Sequence, residues 1–336
     1  MFRKEPLKII GIISSIIIFG ISFFLSIALG ITDMSLQTVY HALFHFNANS
    51  TEHIIIQSSR LPRAIIGALI GACLAVSGAL MQAITKNPLA SPTIFGVNAG
   101  AICFVVLAVT FLSISSLVHY MWIAFIGAGV ASACVYILGT IGRDGMTPIK
   151  IVLAGAAMTA LFTSFTQGVL VLNETGLQEV LFWLAGSISG RTLDVLIPVM
   201  PYMIVGLMIA IFLGQSINIL LFGDEVATGL GVRVNIVKGI IGILIVVLAG
   251  SSVAVAGAIG FIGLVVPHVA RFLVGNDYRW VIPYCILLGG SLLLLADVLS
   301  RFVIMPQELP IGVTTALIGT PFFLYLARKR GFHNEG

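Results

Sequence analysis

Runs of about twenty apolar residues, parted by short polar stretches, recur along the whole chain. They begin near Ile9, Leu61, Thr93, His119, Ile149, Leu193, Ile236, Trp280 and Pro310, and a shorter one runs from Ala258 to Val274. A bilayer core of about 30 Å takes roughly 20 apolar residues of helix per crossing. The pattern predicts an all-α polytopic membrane protein, about ten transmembrane helices in one domain spanning residues 1–336. The first run, Ile9–Gly30, is longer than the core of a signal peptide and has no A-x-A cleavage site, so it is read as a retained span.

Composition strengthens this reading. Of 336 residues 59% are apolar and 9% charged, with a mean hydropathy of +1.12. A soluble domain carries about 25% charged residues, so this chain cannot clothe itself in a polar surface. Cys73, Cys103, Cys134 and Cys285 lie scattered inside apolar runs with no C-x-x-C pair. They read as small core residues, and no metal or other cofactor is expected.

The net charge of +4 has its cause in topology and calls for no nucleic acid. With ten crossings and the N-terminus inside, one side receives Arg3, Lys4, Lys8, Lys86, Arg143, Lys150, Arg233, Lys238, Arg271, Arg279, Arg328, Lys329 and Arg330. The other side receives Arg60, Arg63, Arg191 and Arg301. Thirteen against four follows the positive-inside rule and predicts both termini cytoplasmic. The four outer arginines then need reasons of their own. Glu174, Glu179 and Glu308 fall near the outer surface, where solvated carboxylates are ordinary; Glu308 also fits the start of the last helix.

A shift of 179 residues lays the segment from Ile66 over that from Ile245. It matches Ile66/Ile245, Leu69/Leu248, Gly71/Gly250, Ala75/Ala254, Val76/Val255, Gly78/Gly257, Ala79/Ala258, Pro88/Pro267 and Gly96/Gly275. An odd number of crossings separates the copies, which predicts an inverted repeat, about 61–171 against about 236–327. Paired Gly/Pro-interrupted segments of this kind are a sequence sign of transporters. "KNPLASPTIFG" (Lys86–Gly96) and "VVPHVARFLVG" (Val265–Gly275) are expected to be matched breaks in helical structure, both cytoplasmic. Gly67–Gly71, Gly71–Ala75, Gly250–Ala254 and Ala254–Ala258 have the small-xxx-small spacing that lets helices pack closely in lipid.

A cytoplasmic segment, about 216–235, contains "NILLFGDEVATGLGVRVN" (Asn218–Asn235). Leu220, Leu221, Val226, Ala227 and Leu230 are expected to share one face of a short helix, broken by Gly223 and by Gly229 or Gly231. Asp224 and Glu225 suit its N-terminus. Interfacial helices usually carry Lys or Arg, so this acidic one is better suited to a partner's groove than to the membrane surface.

These residues carry a resemblance. "SRLPRAIIGALIGACLAVSGALMQAITKNPLASPTIFGVNAGA" (Ser59–Ala101) resembles the iron–siderophore and cobalamin permeases of bacterial ABC importers. So do "LAGAAMTAL" (Leu153–Leu161), "LFGDEVATGLGV" (Leu221–Val232), "AVAGAIGFIGLVVPHVAR" (Ala254–Arg271), "LLLADVLSR" (Leu293–Arg301) and "ELPIGVTTALIGTPFFLYL" (Glu308–Leu326). The resemblance implies a ten-helix subunit of the bacterial cell membrane, paired with a second permease subunit, the same chain or a homologue. It further implies two copies of a cytoplasmic ATPase, an extracytoplasmic substrate-binding protein, and an iron(III)–siderophore as cargo, with cobalamin or haem as alternatives. Arg60, Arg63 and Arg301 would dock the binding protein. Asn87 and Leu89, with Thr147 by a weaker match, would form a cytoplasmic gate. Leu221, Gly223, Ala227, Leu230 and Gly231 would couple to the ATPase.

The residues also bear on the alternatives. Arg301 has a plainer partner in Asp297, four residues earlier on a helix, and Arg60 and Arg63 could simply anchor a helix end near the headgroups. No P-loop G-x-x-x-x-G-K-[ST] is present, because none of the six lysines follows a glycine. The chain is then not expected to be the motor or an enzyme, and the resemblance implies that energy comes from a separate ATPase. Secondary transporters normally need acidic groups at mid-membrane, and only Asp297, near a span's end, approaches that role. His268 has no companion ligand and reads as a local hydrogen-bonding residue. No Ser/His, paired Asp or H-E-x-x-H arrangement suggests an intramembrane hydrolase.

Overall fold

The computed structural model describes residues 5–30, 32, 34–112, 116–141, 147–172 and 183–331. Arg3, Lys4, Arg143, Glu174 and Glu179, used in the charge and topology reading, lie outside the described residues. The described chain is helical, its one β-bridge being the isolated Ile304–Gln307 pair. In order come α1 (Glu5–Ala28), α2 (Leu36–Phe44) and α3 (Thr51–Ile55). A π-helical segment (Ile56–Arg60) leads from α3 straight into α4 (Leu61–Thr85), and a 3₁₀ turn (Pro92–Phe95) precedes α5 (Val97–Leu112). Then follow α6 (Leu117–Thr140), α7 (Pro148–Leu172), α8 (Met200–Leu221) and the short α9 (Asp224–Gly229). The last four are α10 (Val234–Ala256), α11 (Ile262–Val274), α12 (Tyr278–Phe302) and α13 (Ile311–Gly331).

Among the described residues seven helices are long and apolar enough to cross a membrane, and α5, α11 and Ile311–Leu324 of α13 are shorter apolar helices. α4 is the axis of the bundle. It packs against α10, α11 and α12, and 83% of its apolar window is buried. α1 and α7 sit at the periphery with only 22% and 17% buried, and Ile9, Ile10, Ile13, Ile16 and Ile17 of α1 point outward. In water such a face would be a liability; in lipid it is the expected surface.

Side-chain ties give the helix directions. Tyr284 Oη donates to the Lys8 carbonyl at 2.8 Å, and Arg301 Nη1 donates to the Ser26 carbonyl at 2.8 Å, so α1 and α12 run parallel. Arg63, at the start of α4, meets Asp297 near the end of α12, whereas Tyr278 at the start of α12 reaches the Ala79 carbonyl near the end of α4. α4 is therefore antiparallel to both. One end of the bundle gathers the arginines, and the opposite end holds the break after α4 and the α8–α9 turn.

Two glycine pairs set the tightest crossings. A Cβ on Gly71 would lie 2.3 Å from the Gly289 carbonyl oxygen, and one on Gly78 would lie 1.9 Å from that of Gly263. Bare backbone is thus the contact surface of α4 with α12 and α11, which explains the small-residue spacing around Gly71.

The two stretches matched by sequence each contain four helices in a long, short, long, long order: α4–α7 with 25, 16, 24 and 25 residues, α10–α13 with 23, 13, 25 and 21. The expected second break is misplaced, however. Val265–Val274 is helical and Pro267 lies inside α11. The irregular backbone lies earlier, at Gly257–Phe261, where Gly257 (φ 74°) and Phe261 (φ 65°) adopt left-handed conformations. Pro267 is the sixth residue of α11, so the Gly263 carbonyl loses its intrahelical donor, and Gln82 Nε2 of α4 donates to it instead at 3.2 Å. Gly96 (φ 68°) and Gly275 (φ 82°) both have positive φ, but Gly96 precedes the short helix of its stretch and Gly275 follows the short helix of the other.

Replacing Gly71 with Val should lower the apparent melting temperature in detergent by several degrees, since overpacking a tight contact costs about 1–3 kcal/mol. Gly20→Ala, where a Cβ meets nothing within 4 Å, should leave it unchanged; equal effects of the two would refute the close-crossing account.

Candidate functional site

At the arginine end, a buried ion cluster ties four helix ends together. Asp297 on α12 is fully buried and takes bonds from two arginines. Arg63 Nη2 donates to Oδ1 at 2.8 Å and its Nε at 3.0 Å, while Arg301 pairs with Oδ2. The remaining Nη1 of Arg63 donates to Glu308 Oε2 at 2.8 Å, just before α13, and Ser189 Oγ donates to the same oxygen at 2.9 Å. Two cations and two carboxylates balance. Burial pushes the Glu308 carboxyl up, but Arg63, the Ser189 hydroxyl and Arg301 together outweigh it and hold it below the usual range.

Arg60 and Arg301 serve a second purpose. A helix leaves its last four carbonyls without intrahelical donors and carries partial negative charge there. Arg60 Nη1 donates to the Ile27 and Ala28 carbonyls at 3.0 and 2.8 Å, and Nη2 donates to Thr32 Oγ1 at 2.8 Å. Arg301 Nη1 donates to the carbonyls of Ser26 and Leu29 at 2.8 and 2.6 Å, leaving its buried Nε without a hydrogen-bond partner. Two guanidinium groups thus cap the C-terminus of α1. Arg60 and Arg301 are 6% and 2% exposed, so neither presents its charge at the surface in this conformation. Arg63 is partly exposed. Arg191 is buried too, its guanidinium 5.2 Å from the Trp183 ring.

The opposite end holds the three expected gate residues. Lys86 closes α4 in a left-handed conformation (φ 49°), and the exposed Asn87 folds into an Asx turn whose Oδ1 accepts from Leu89 N–H at 3.0 Å. Leu89 is half-buried. Thr147 instead caps the start of α7, its Oγ1 accepting from Lys150 N–H at 3.4 Å. The structure brings Asn87 and Leu89 into one loop. That loop meets α7 through Gly155, where a Cβ would lie 1.7 Å from the Ile94 carbonyl oxygen.

Gln82, absent from the sequence-derived set, is the residue that binds this loop inward. Its Nε2 donates to the Ala90 and Gly263 carbonyls, both at 3.2 Å, and its Oε1 accepts from Arg271 Nη2. Asn218, also missed, ties α8 to α12: Nδ2 donates to Asp277 Oδ1 at 2.6 Å, and Oδ1 accepts from Tyr278 N–H at 2.8 Å. Hydrogen bonds from Arg279 hold the Asp277 carboxyl down at about 2 against a partial upward push from burial.

The 216–235 segment turns at Gly223 (φ 112°) and Gly231 (φ 82°), with Gly229 as the last residue of α9. The expected single apolar face is divided. Leu220 and Ala227 turn inward, whereas Leu221, Val226 and Leu230 are exposed together with Phe222. Lys238 pairs with Asp224 beside them. Helix geometry explains the division: neighbours such as Leu220 and Leu221, or Val226 and Ala227, are about 100° apart.

The apolar helices define a multi-pass helical membrane protein, with a buried ion cluster at one end. The chain matches the FecCD transport family over residues 17–329, and it belongs to that family. It is 51% identical to the "Probable siderophore transport system permease protein YfiZ" of Bacillus subtilis (strain 168), over 97% of this chain and 98% of that protein. It is 45% identical to the Fe(3+)-citrate import system permease protein YfmD of the same organism, over 97% of each. Among solved structures, an inward-facing metal-chelate type ABC transporter superposes with a TM-score of 0.84 at 27% identity, covering 95% of this chain and 98% of that one.

Asp297→Asn should destabilise the protein strongly, by about 3–5 kcal/mol, because it leaves two buried guanidinium groups against one carboxylate. Glu308→Gln, half-buried, should cost far less; equal losses in melting temperature would refute the assignment of Asp297 as the centre. At the other end, a carboxyl with a lowered folded pKa stabilises above its unfolded value of about 3.9 and loses that contribution as pH falls. The Asp277 link should therefore be indifferent to pH from 5 to 8 and weaken between about pH 4 and pH 2, while Asp277→Asn removes that dependence. Melting curves across acid pH test this.

Proposed function

We propose that this chain is the transmembrane permease subunit of a binding-protein-dependent ABC importer, carrying an iron(III)–siderophore across the bacterial cell membrane. The likeness that carries this reading is the 51% identity, over nearly the full length, to a siderophore permease. A cobalamin permease of Halobacterium salinarum is also similar, at 37% over 88% of this chain, but the higher identities to siderophore and ferric-citrate permeases favour an iron chelate. The seven long and three shorter apolar helices, with the thirteen-to-four charge division, support ten spans and cytoplasmic termini. Ala83 and Lys86 at the end of α4 line one cleft with Lys238 and Ile241 at the start of α10, so the two helices run in opposite directions, which supports an inverted repeat.

Partners follow from the two ends. The exposed Leu221, Val226 and Leu230 between Gly223 and Gly231 suit a groove on a separate ATPase, two copies serving a pair of permease subunits. Such a patch on the water side needs a cover. The arginine end would face the binding protein. There Arg60 and Arg301 hold the platform from within, and Arg63 would exchange Glu308 for an acidic side chain of the docking protein, a bidentate geometry that guanidinium groups favour. Asn87 and Leu89 would close the cytoplasmic mouth, and Thr147 would fix the start of α7 beside it.

Proteoliposomes holding the permease, its genomic neighbour ATPase and the binding protein should take up iron-55 siderophore only with ATP inside the ATPase compartment. Uptake by the permease alone would overturn the reading. Glu308→Gln should tighten binding-protein docking several-fold by freeing Arg63, as measured by surface plasmon resonance; unchanged affinity would remove Arg63 from docking.

A further inference from the structure

Gln82, three residues from the end of α4, is buried at 4% exposure. A buried amide must satisfy its donors and acceptor within the protein, or the cost is high. Gln82 does so with three partners from different elements. The Ala90 carbonyl belongs to the loop after α4, the Gly263 carbonyl to the first turn of α11, and Arg271 to the last turn of α11. The guanidinium of Arg271 donates to the Gln82 side-chain oxygen and also lies against the Tyr278 hydroxyl. Bonds with one charged partner are roughly twice as strong as neutral ones. The Gly263 carbonyl would also lie 1.9 Å from a Cβ at Gly78, one turn before Gln82, so α11 cannot slide along α4 without disturbing the amide.

We infer that Gln82 is a positioning residue that latches the loop carrying Asn87 and Leu89 to the short helix of the second repeat, through Arg271. The inference rests on the permease reading above and adds the element that holds the loop in place. Of the three bonds only that to the Ala90 carbonyl reaches the loop; the two to Gly263 and Arg271 fix the amide against α11, so that it stays aimed at the loop it holds. Gln82→Met keeps the length and removes every bond; Arg271→Met removes the strong bond from a partly exposed position. Arg271→Lys retains the charge and is the conservative rescue.

Two measurements test the latch in the reconstituted full complex. The first is the ratio of ATP hydrolysed without cargo to ATP hydrolysed with loaded binding protein. Loss of a charge-assisted hydrogen bond shifts an equilibrium about tenfold or more, so Gln82→Met and Arg271→Met should each raise cargo-free hydrolysis about tenfold while transport per ATP falls. Arg271→Lys should restore most of the coupling, and the double Met variant should be no worse than either single one. The second is hydrogen exchange of the backbone amides of residues 87–96 in the intact permease, expected to speed about tenfold in Arg271→Met. Should Gln82→Met fail to fold, Arg271→Met alone decides. Wild-type coupling and unchanged exchange in a folded variant would overturn the latch; absence of ATP-driven uptake by the wild-type complex would instead overturn the permease reading.

Discussion

Asp297 is the point on which the arginine end depends. It is a carboxylate with no access to solvent, and charge in such a place is tolerated only when paired and hydrogen-bonded. Removing either arginine would leave the others unbalanced, so α4, α12 and the approach to α13 are held by one mutual requirement. The same arginines reach further. Arg301 continues into the carbonyls that end α1, and Arg60 joins it there. The first helix, which buries little surface of its own, is thereby fastened at its last turn by two cations meeting partial negative charge.

Between the two ends the forces are of another kind. Lipid offers no hydrophobic drive between helices, and close approach of backbones must supply the packing energy. The Gly71–Gly289 and Gly78–Gly263 contacts do this along α4. They also create the room in which irregular backbone can exist at depth. Non-helical segments inside a membrane protein must be packed in protein with their polar groups answered. The loop after α4 meets that condition through Gln82 and its own Asx turn. The Gly257–Phe261 segment meets it through the Trp183 carbonyl, which accepts from Ala258 N–H at 3.1 Å, and the Ala256 carbonyl, which accepts from Ser187 N–H at 2.8 Å.

Much of this was legible in the sequence, and the limits have physical causes. Helix positions follow from apolar runs, because a backbone in lipid has few ways to satisfy itself. The Asp297–Arg301 pair follows from i,i+4 spacing. The partners of Arg63 are 234 and 245 residues away, and no local pattern announces them. The four outer arginines were set on one loop side by charge counting, which reports sidedness and not exposure. Arg60 and Arg301 look like surface residues by type, yet the carbonyls at the end of α1 draw them inward. Pro267 reads as a break because proline lacks an N–H, but the Gly263 carbonyl that it leaves without an intrahelical donor is taken up by Gln82 on another helix, a partner no local pattern announces. Gln82 gives no sequence signal for a related reason: a single amide in an apolar run carries no periodicity, and its importance lies wholly in partners 8, 181 and 189 residues away.

The division of labour between charges and amides suggests how the bundle combines rigidity with motion. The ion cluster at the arginine end is deeply desolvated, so opening it would expose unbalanced charge to low dielectric, and that end should change shape only when another carboxylate replaces the one released. The opposite end relies on hydrogen bonds from two amides, Gln82 and Asn218, a half-exposed arginine and the ion pairs Asp224–Lys238 and Asp277–Arg279. Exposed pairs are worth little in water, and a few such bonds can be exchanged at modest cost. Leu221, Val226 and Leu230 lie beside that softer end, so a push applied there meets the part of the fold best able to yield.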